Sequence, residues 1–308
     1  MKELLSISSL SDEDIQTIFK KAKFFLNSKE KAYHRHPSRR ICLFFLEDST
    51  RTRLSFDIAA RNLGAQTMMF ATGGSSMSKG ESLGDTLRIL NKYQFDAYVI
   101  RTENAGAPWL FKRYTPSPII NAGDGAHEHP SQALLDAFTL LETWKEIKGK
   151  RICLLGDVIH SRVAGSNIRL LSRLGAKVIL CGPGTLLPRK LPKEWEEHWG
   201  VEMEEKMEKA IEGVDAVMTW RLQKERMTHN FVPSFQDYSK AWKLTESIVE
   251  RLCPEAVILH PGPANREIEI ESKLLDSDRC LVLNQAKNGT YIRMAILDYL
   301  FETQEKME

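Results

Sequence analysis

Short apolar runs alternate along the chain with longer segments whose apolar positions recur at helical spacing. The runs ICLFFL (41–46), TMMFA (67–71), AYVIR (97–101) and PIINA (118–122) predict four strands, and RICLLGD (151–157), KVILCGP (177–183), AVMTW (216–220) and AVILHPG (256–262) predict four more. Between them the spacing predicts helices over 52–63, 82–93, 131–147, 162–173, 205–213 and 244–252. Gly64 and Gly175 follow two of these, where a helix end favours a left-handed residue. Strands that alternate with helices predict an α/β fold with parallel sheets covered on both faces. The long stretch SQALLDAFTLLETWKEIKGK separates two such series, a fresh one starting at Arg151. In the last segment Tyr291, Met294, Ile296, Leu297 and Leu300 predict an amphipathic helix with one buried face.

At 308 residues, with 42% hydrophobic and 27% charged positions, the chain suits two soluble domains with real cores. Its 43 basic and 41 acidic residues leave a net charge of +2, so no overall field draws it to nucleic acid or membrane, and any basic site has to be built locally. The start, MKELLSISSLSDEDI, lacks the apolar core of a signal peptide, and no apolar run approaches the roughly 20 residues of a membrane span. Cys42, Cys153, Cys181, Cys253 and Cys280 are scattered and mostly lie inside apolar stretches, which predicts reduced core thiols. A cytoplasmic protein is expected.

In open α/β sheets ligands bind beyond the carboxyl ends of the strands, where the topology switches, and this chain repeatedly places polar clusters there. EDSTRTRLSFD (47–57) follows the first strand and opens a helix. Two readings stand: a capped helix with solvated arginines, or a phosphate trap made of helix N–H groups, small hydroxyls and an arginine fork. GGSSMSKGESLGD (73–85) lacks the Gly before and the Ser or Thr after its lysine that a P-loop needs, which leaves a hydroxyl-rich surface loop with one cation, Lys79. Arg101 ends a strand as a site residue or an ion-pair partner. HEHPSQ (127–132) offers His127, His129 and Gln132; the HxH pair suits a metal, but without a carboxylate or thiolate set an imidazole hydrogen-bonded to a substrate carbonyl is the better reading.

GDVIHSR (156–162) sits where a dinucleotide fold would carry G-x-G-x-x-G, but has one glycine and bulky Ile159-His160, which disfavours a nicotinamide cofactor. Arg162 and Arg221 both follow strands, and HPGPAN (260–265) is a turn stiffened by two prolines. Taken together, Arg51, Lys79, Arg101, Arg162 and Arg221 focus positive charge at strand ends and in the glycine loop, an arrangement suited to small, strongly anionic substrates. No Ser–His–Asp pattern, paired carboxylates or metal cluster points to hydrolysis.

STRTRLSF, SMSKGES, HPSQALLD, GDVIHSR, RLQKER and HPGP occur in this order. With that set the chain resembles the carbamoyltransferases from about Phe44 to the C-terminal helix, and within them the branch that acts on aspartate. The resemblance implies two doubly wound parallel-sheet domains joined by long helices: residues 1–132 with 285–308, to which the C-terminal helix returns, bind carbamoyl phosphate, and 133–284 bind aspartate. It implies transfer of the carbamoyl group of carbamoyl phosphate to the amino group of L-aspartate, giving N-carbamoyl-L-aspartate and phosphate, an early committed step of de novo pyrimidine synthesis.

By the same resemblance Ser49, Thr50, Arg51 and Thr52 would hold the phosphate. Thr52, Arg101 and His129 would contact the carbamoyl oxygen and Gln132 its amine, while carbonyls around Pro261, Gly262 and Pro263 would orient that amine and the incoming amino group. Arg51, Thr52, Arg101 and His129 would thus be the catalytic set. Arg162 and Arg221, with Gln223 and Lys79, would bind the aspartate carboxylates. Ser75 and Lys79 would enter a neighbouring subunit's site, implying a homotrimer, with a regulatory chain or another pyrimidine-pathway enzyme as an optional partner. No metal or cofactor is implied. Ornithine enzymes of the family carry a cysteine where this chain has His260-Pro261-Gly262-Pro263, and Arg221 would repel an ornithinium. Arg53 is expected to support the site or face an ion pair, Asp48 and the Tyr291-Ile292 helix start depart from the family pattern, and Asp48 is expected to weaken the phosphate site modestly if it points inward. Two rival readings remain: a non-catalytic homologue acting as a scaffold, and nucleic-acid binding through HRHPSRR (34–40), a run that more often forms a solvated edge.

Overall fold

A computed structural model describes residues 1–28, 33–71, 80–222 and 234–306. The chain divides into two compact units, Met1–Leu135 with Lys287–Glu308, and Asp136–Ala286. The first contains α1 (Asp12–Ser28), β1 (Arg40–Phe45), α2 (Thr50–Asn62), β2 (Gln66–Ala71), α3 (Leu83–Lys92), β3 (Ala97–Thr102), α4 (Ala107–Lys112), β4 (Ile119–Asp124) and the start of α5 (Pro130–Trp144). The second continues through β5 (Arg151–Leu155), α6 (Arg162–Arg173), β6 (Lys177–Cys181), β7 (Glu202–Glu204), α7 (Met207–Ile211), β8 (Ala216–Thr219), α8 (Phe235–Trp242), α9 (Glu246–Leu252), β9 (Val257–Leu259) and α10 (Ser272–Leu275). A final helix, α11 (Val282–Glu305), returns the chain to the first unit.

Every strand pairing in both sheets is parallel, with order β2-β1-β3-β4 in one and β7-β6-β5-β8-β9 in the other. In each sheet the chain winds outward in one direction and then restarts beside the first strand. The switch points therefore lie between β1 and β3 and between β5 and β8. The strands read as near-continuous apolar runs because both faces are covered: Ile41–Phe45 and Ile152–Leu155 are buried throughout.

Several expected boundaries move for local reasons. The run 256–262 stops being a strand at Leu259, before Pro261 and Pro263, which offer no N–H to a ladder. The run 177–183 stops at Cys181, where Gly182 meets the end of β5 so closely that a Cβ there would lie 2.3 Å from the Gly156 carbonyl oxygen. The spacing missed α1, although SDED carried its signal: Ser11 Oγ accepts from Asp14 N (3.0 Å) while Asp14 Oδ2 accepts from Ser11 N (2.9 Å), a reciprocal cap. It also missed the short β7, α4, α8 and α10.

Two expectations are corrected. Helix α11 is not a one-sided amphipath, because Ile292–Asp298 are buried consecutively. The basic run 34–40 is not a solvated edge either. Arg35 Nε (2.7 Å), His36 Nε2 (2.9 Å) and Lys21 Nζ from α1 (2.6 Å) converge on Asp298 of α11, while Arg39 pairs with Asp96 (2.9 Å) and Glu305 (3.4 Å). The run clasps the returning helix. All five cysteines are buried free thiols, and burial pushes Cys42 up to about 12. Among the described residues no helix is long and apolar enough to cross a membrane.

Asp298 gives this clasp a pH signature. Burial pushes its carboxyl up, but hydrogen bonds from His36, Lys21 and Arg35 and the Lys21 charge outweigh it and hold it at about 2, below the ordinary 3.8. A depressed carboxylate stabilises the fold above its unfolded value and loses that contribution as pH falls through the folded one. About 2 kcal/mol should therefore disappear between roughly pH 4 and pH 2. Urea titrations across that window should show this loss in the wild type and a flatter profile in Asp298→Asn.

Candidate functional site

The first unit gathers its candidates around the β1/β3 switch point. β1 ends at Phe45, paired in register with Arg101 of β3, and Leu46 N donates to the Arg101 carbonyl at 2.8 Å. The chain then passes Glu47, exposed Asp48 and half-buried Ser49 into α2. Ser49 is the N-cap with extended backbone (φ −160°, ψ 102°), yet its hydroxyl makes no capping hydrogen bond. The first-turn N–H groups of α2 and the Ser49 hydroxyl are thus not committed to each other, and with the helix dipole they form an anion-binding geometry. Thr50 and Arg51 are exposed on that turn, and Thr52 is buried.

Arg101 Nη2 lies 3.0 Å from Glu47 Oε1, and Nη1 lies 3.4 Å from the Ala122 carbonyl. Glu47 thus compensates a guanidinium that would be costly to hold so far from water. His129 is buried, with Nε2 3.4 Å from Thr52 Oγ1 and Nδ1 3.5 Å from Ser131 Oγ. Buried Gln132 follows on the first turn of α5, its N–H bonded to the His129 carbonyl at 2.9 Å. His127 faces elsewhere: Nδ1 contacts Asp124 Oδ2 at 3.1 Å, and the ring packs edge-on against Trp109. Arg53 faces no ion pair among the described residues, and its Nε is buried without a hydrogen-bond partner.

The second unit places its candidates around the β5/β8 switch point. Beyond β5, Asp157 Oδ1 accepts from His160 N (3.2 Å) and faces His160 Nδ1 (2.8 Å), while the Asp157 carbonyl accepts from Trp220 Nε1 (2.7 Å). These bonds shape the entry to α6. Ser161 caps that helix by accepting from Ala164 N at 3.2 Å, and buried Arg162 is its first residue. Arg221 follows β8 and Trp220, half-buried, with Nη1 3.4 Å from the Leu222 carbonyl. Pro261, Gly262 and Pro263 form the turn after β9, with Gly262 at φ 64°. Ser75, Lys79 and Gln223 lie outside the described residues.

Sequence reasoning passed over Glu47 and Asp157, although each is an acidic residue at a strand's carboxyl end next to a named motif. The chemistry available is anion binding at a helix N-terminus, with a guanidinium, an imidazole and an amide beside it in one unit, and two arginines flanking a switch point in the other.

Residues 2–142 match the aspartate/ornithine carbamoyltransferase carbamoyl-P binding domain, and 148–300 match the Asp/Orn binding domain of the same family. The chain belongs to the aspartate/ornithine carbamoyltransferase family. It is 46% identical over 313 residues to the aspartate carbamoyltransferase catalytic subunit of Chlorobium limicola, covering 97% of this chain and 99% of that one. Its fold is similar to aspartate transcarbamoylase from Trypanosoma cruzi in complex with carbamoyl aspartate and phosphate (TM-score 0.85, 30% identity, 96% of this chain and 94% of that one). It is equally similar in fold to ornithine carbamoyltransferase from Pyrococcus furiosus (TM-score 0.85, 27% identity, 96% of each chain). Similarity of fold therefore does not separate the two acceptors.

The two serine caps give a direct test of which hydroxyl is structural. Ser161→Ala should cost about 1 kcal/mol of stability, the usual value for a working N-cap, and Ser49→Ala less than about 0.5 kcal/mol. Denaturation curves of the two variants measure the contrast, and equal costs would contradict it.

Proposed function

We propose that the chain transfers the carbamoyl group of carbamoyl phosphate to the amino group of L-aspartate, releasing phosphate and N-carbamoyl-L-aspartate. The observation that carries this reading is the polar cluster at the β1/β3 switch point, where an uncommitted Ser49 hydroxyl and the α2 N-terminus lie with Thr52, Arg101 and His129 in one unit. Ser49, Thr50, Arg51 and Thr52 bind the phosphate. Thr52, Arg101 and His129 surround the carbamoyl oxygen, and Gln132 takes the carbamoyl amine. Carbonyls of the 261–263 turn orient that amine and the attacking one.

In the reaction the uncharged aspartate amine attacks the carbamoyl carbon and a C–N bond forms. The carbonyl oxygen takes up negative charge, the bond between the carbamoyl carbon and the bridging oxygen breaks, and the departing phosphate keeps that oxygen and carries off the amine proton. Donors prearranged around the oxygen stabilise that charge in the transition state. Holding the two anions side by side supplies the orientational part of the rate.

Acceptor choice follows from charge. Arg162 and Arg221, with Gln223 and Lys79, match the two carboxylates of aspartate, and a cationic ornithine side chain would be repelled by them. The product suits the early pyrimidine pathway. Ser75 and Lys79 complete a neighbouring subunit's site in a homotrimer. In support of self-association, Leu54 and Ile58 of α2 and Met68 and Met69 of the edge strand β2 are each about half exposed. Consecutive strand residues point to opposite faces, so both faces of β2 are open at this apolar edge.

Steady-state kinetics test the roles. Arg51→Ala and Arg101→Ala should each lose about 10²–10³ in kcat, the usual result of removing one charge-stabilising donor. Arg221→Ala should chiefly raise the KM for aspartate, and unchanged aspartate kinetics would remove Arg221 from the acceptor site. In light scattering the wild type should have three times the mass of one chain, whereas Met68→Lys should shift it toward the single chain.

A further inference from the structure

The turn after β9 is braced by a buried carboxylate that the proposed chemistry does not use. His260 and Glu269 are 1% and 0% exposed. Gly262 N donates to His260 Nδ1 at 2.9 Å. A backbone N–H can only donate, so Nδ1 carries no proton and the neutral ring must hold its proton on Nε2. That Nε2–H meets Glu269 Oε1 at 3.1 Å, and the same oxygen accepts from Asn265 N at 2.6 Å. On the other side His260 N donates to Gln285 Oε1 at 3.0 Å, and Gln285 Nε2 donates to Asp136 Oδ1 at 2.7 Å. Asp136 Oδ2 accepts from Asn167 Nδ2 of α6 at 2.9 Å. The turn is thus tied through Gln285 of α11 to Asp136 of α5 and Asn167 of α6, and to the segment that follows it.

We propose that Glu269 is a positioning residue for the transfer reaction. Its carboxylate selects the Nε2–H tautomer of His260, which leaves Nδ1 to hold the Gly262 N–H and so sets the direction of the Pro261 and Gly262 carbonyls. Those carbonyls are the groups assigned above to orient the two amines, so this inference rests on that reading. A buried carboxylate accepting from both an imidazole and a backbone N–H over-determines the geometry of a short turn, as orienting partners of functional groups do. Glu269 touches neither substrate and acts only through His260.

Glu269→Leu, which removes the acceptor, should lower kcat about 100-fold, since a misplacement of about 1 Å at a reacting centre costs that much. Its affinity for inorganic phosphate, held in the other unit, should stay within about twofold of wild type. Glu269→Gln, which keeps an Oε1 acceptor, should recover most of kcat. Wild-type kcat in Glu269→Leu, parallel loss of phosphate affinity, or a Gln variant as slow as Leu would each overturn the proposal. Two-bond ¹H–¹⁵N spectra of the wild type test the brace without any variant: His260 should show protonated Nε2 and bare Nδ1, and a protonated Nδ1 would overturn it. A wild type that forms no N-carbamoyl-aspartate would sink the function reading instead, and that outcome is separate from the tautomer result.

Discussion

Parallel pairing of every described strand is the constraint on which the rest of the molecule depends. A parallel strand must be reached by a crossover, and the crossovers here run largely through helices. Every carboxyl end in a sheet then lies along one edge, and the helices that follow begin at that edge with their unsatisfied N–H groups. A reversal of strand order opens a crevice at the same edge. Ser49–Thr52 and Arg101 flank the reversal in the first unit, and Arg162 and Arg221 flank the one in the second. A nearly neutral chain thereby gathers arginines at one place in each unit without any overall positive field.

Charges held this way need compensation inside the protein. Glu47 supplies it for Arg101 at 3.0 Å, and Asp157 organises the loop that leads to buried Arg162. The same logic holds the returning helix, where Lys21, Arg35 and the His36 imidazole meet one carboxylate at Asp298. The proposed reaction draws on prearranged dipoles and charges rather than on a nucleophile or an acid–base pair. On the proposed reaction rigidity is functional, and the hydrogen bonds around His260 and Thr52 would serve both folding and chemistry.

Much of this was legible before any coordinates. The apolar runs located eight of the nine described strands, because buried parallel strands need continuous apolar sequence, and the strand-end arginines marked both switch points. What escaped was short or tertiary in origin. β7 has three residues, two of them exposed, so no apolar run announced it. The basic stretch 34–40 looked like a solvated edge because its partners, Asp298 and Glu302, lie more than 250 positions away. Glu269 lies only nine positions past His260, but no motif or periodicity in the sequence links the two. Asp48, suspected of opposing the phosphate, is exposed, and the acidic residue that engages the site is its neighbour Glu47.

On the proposed function, this cationic architecture selects a dicarboxylate amine as carbamoyl acceptor. The most direct measurement supplies ¹³C-carbamoyl phosphate with equal concentrations of L-aspartate and L-ornithine and follows the label by NMR. The ¹³C should appear in N-carbamoyl-L-aspartate, with none in citrulline. Label in citrulline, or hydrolysis with no label in either product, would contradict it.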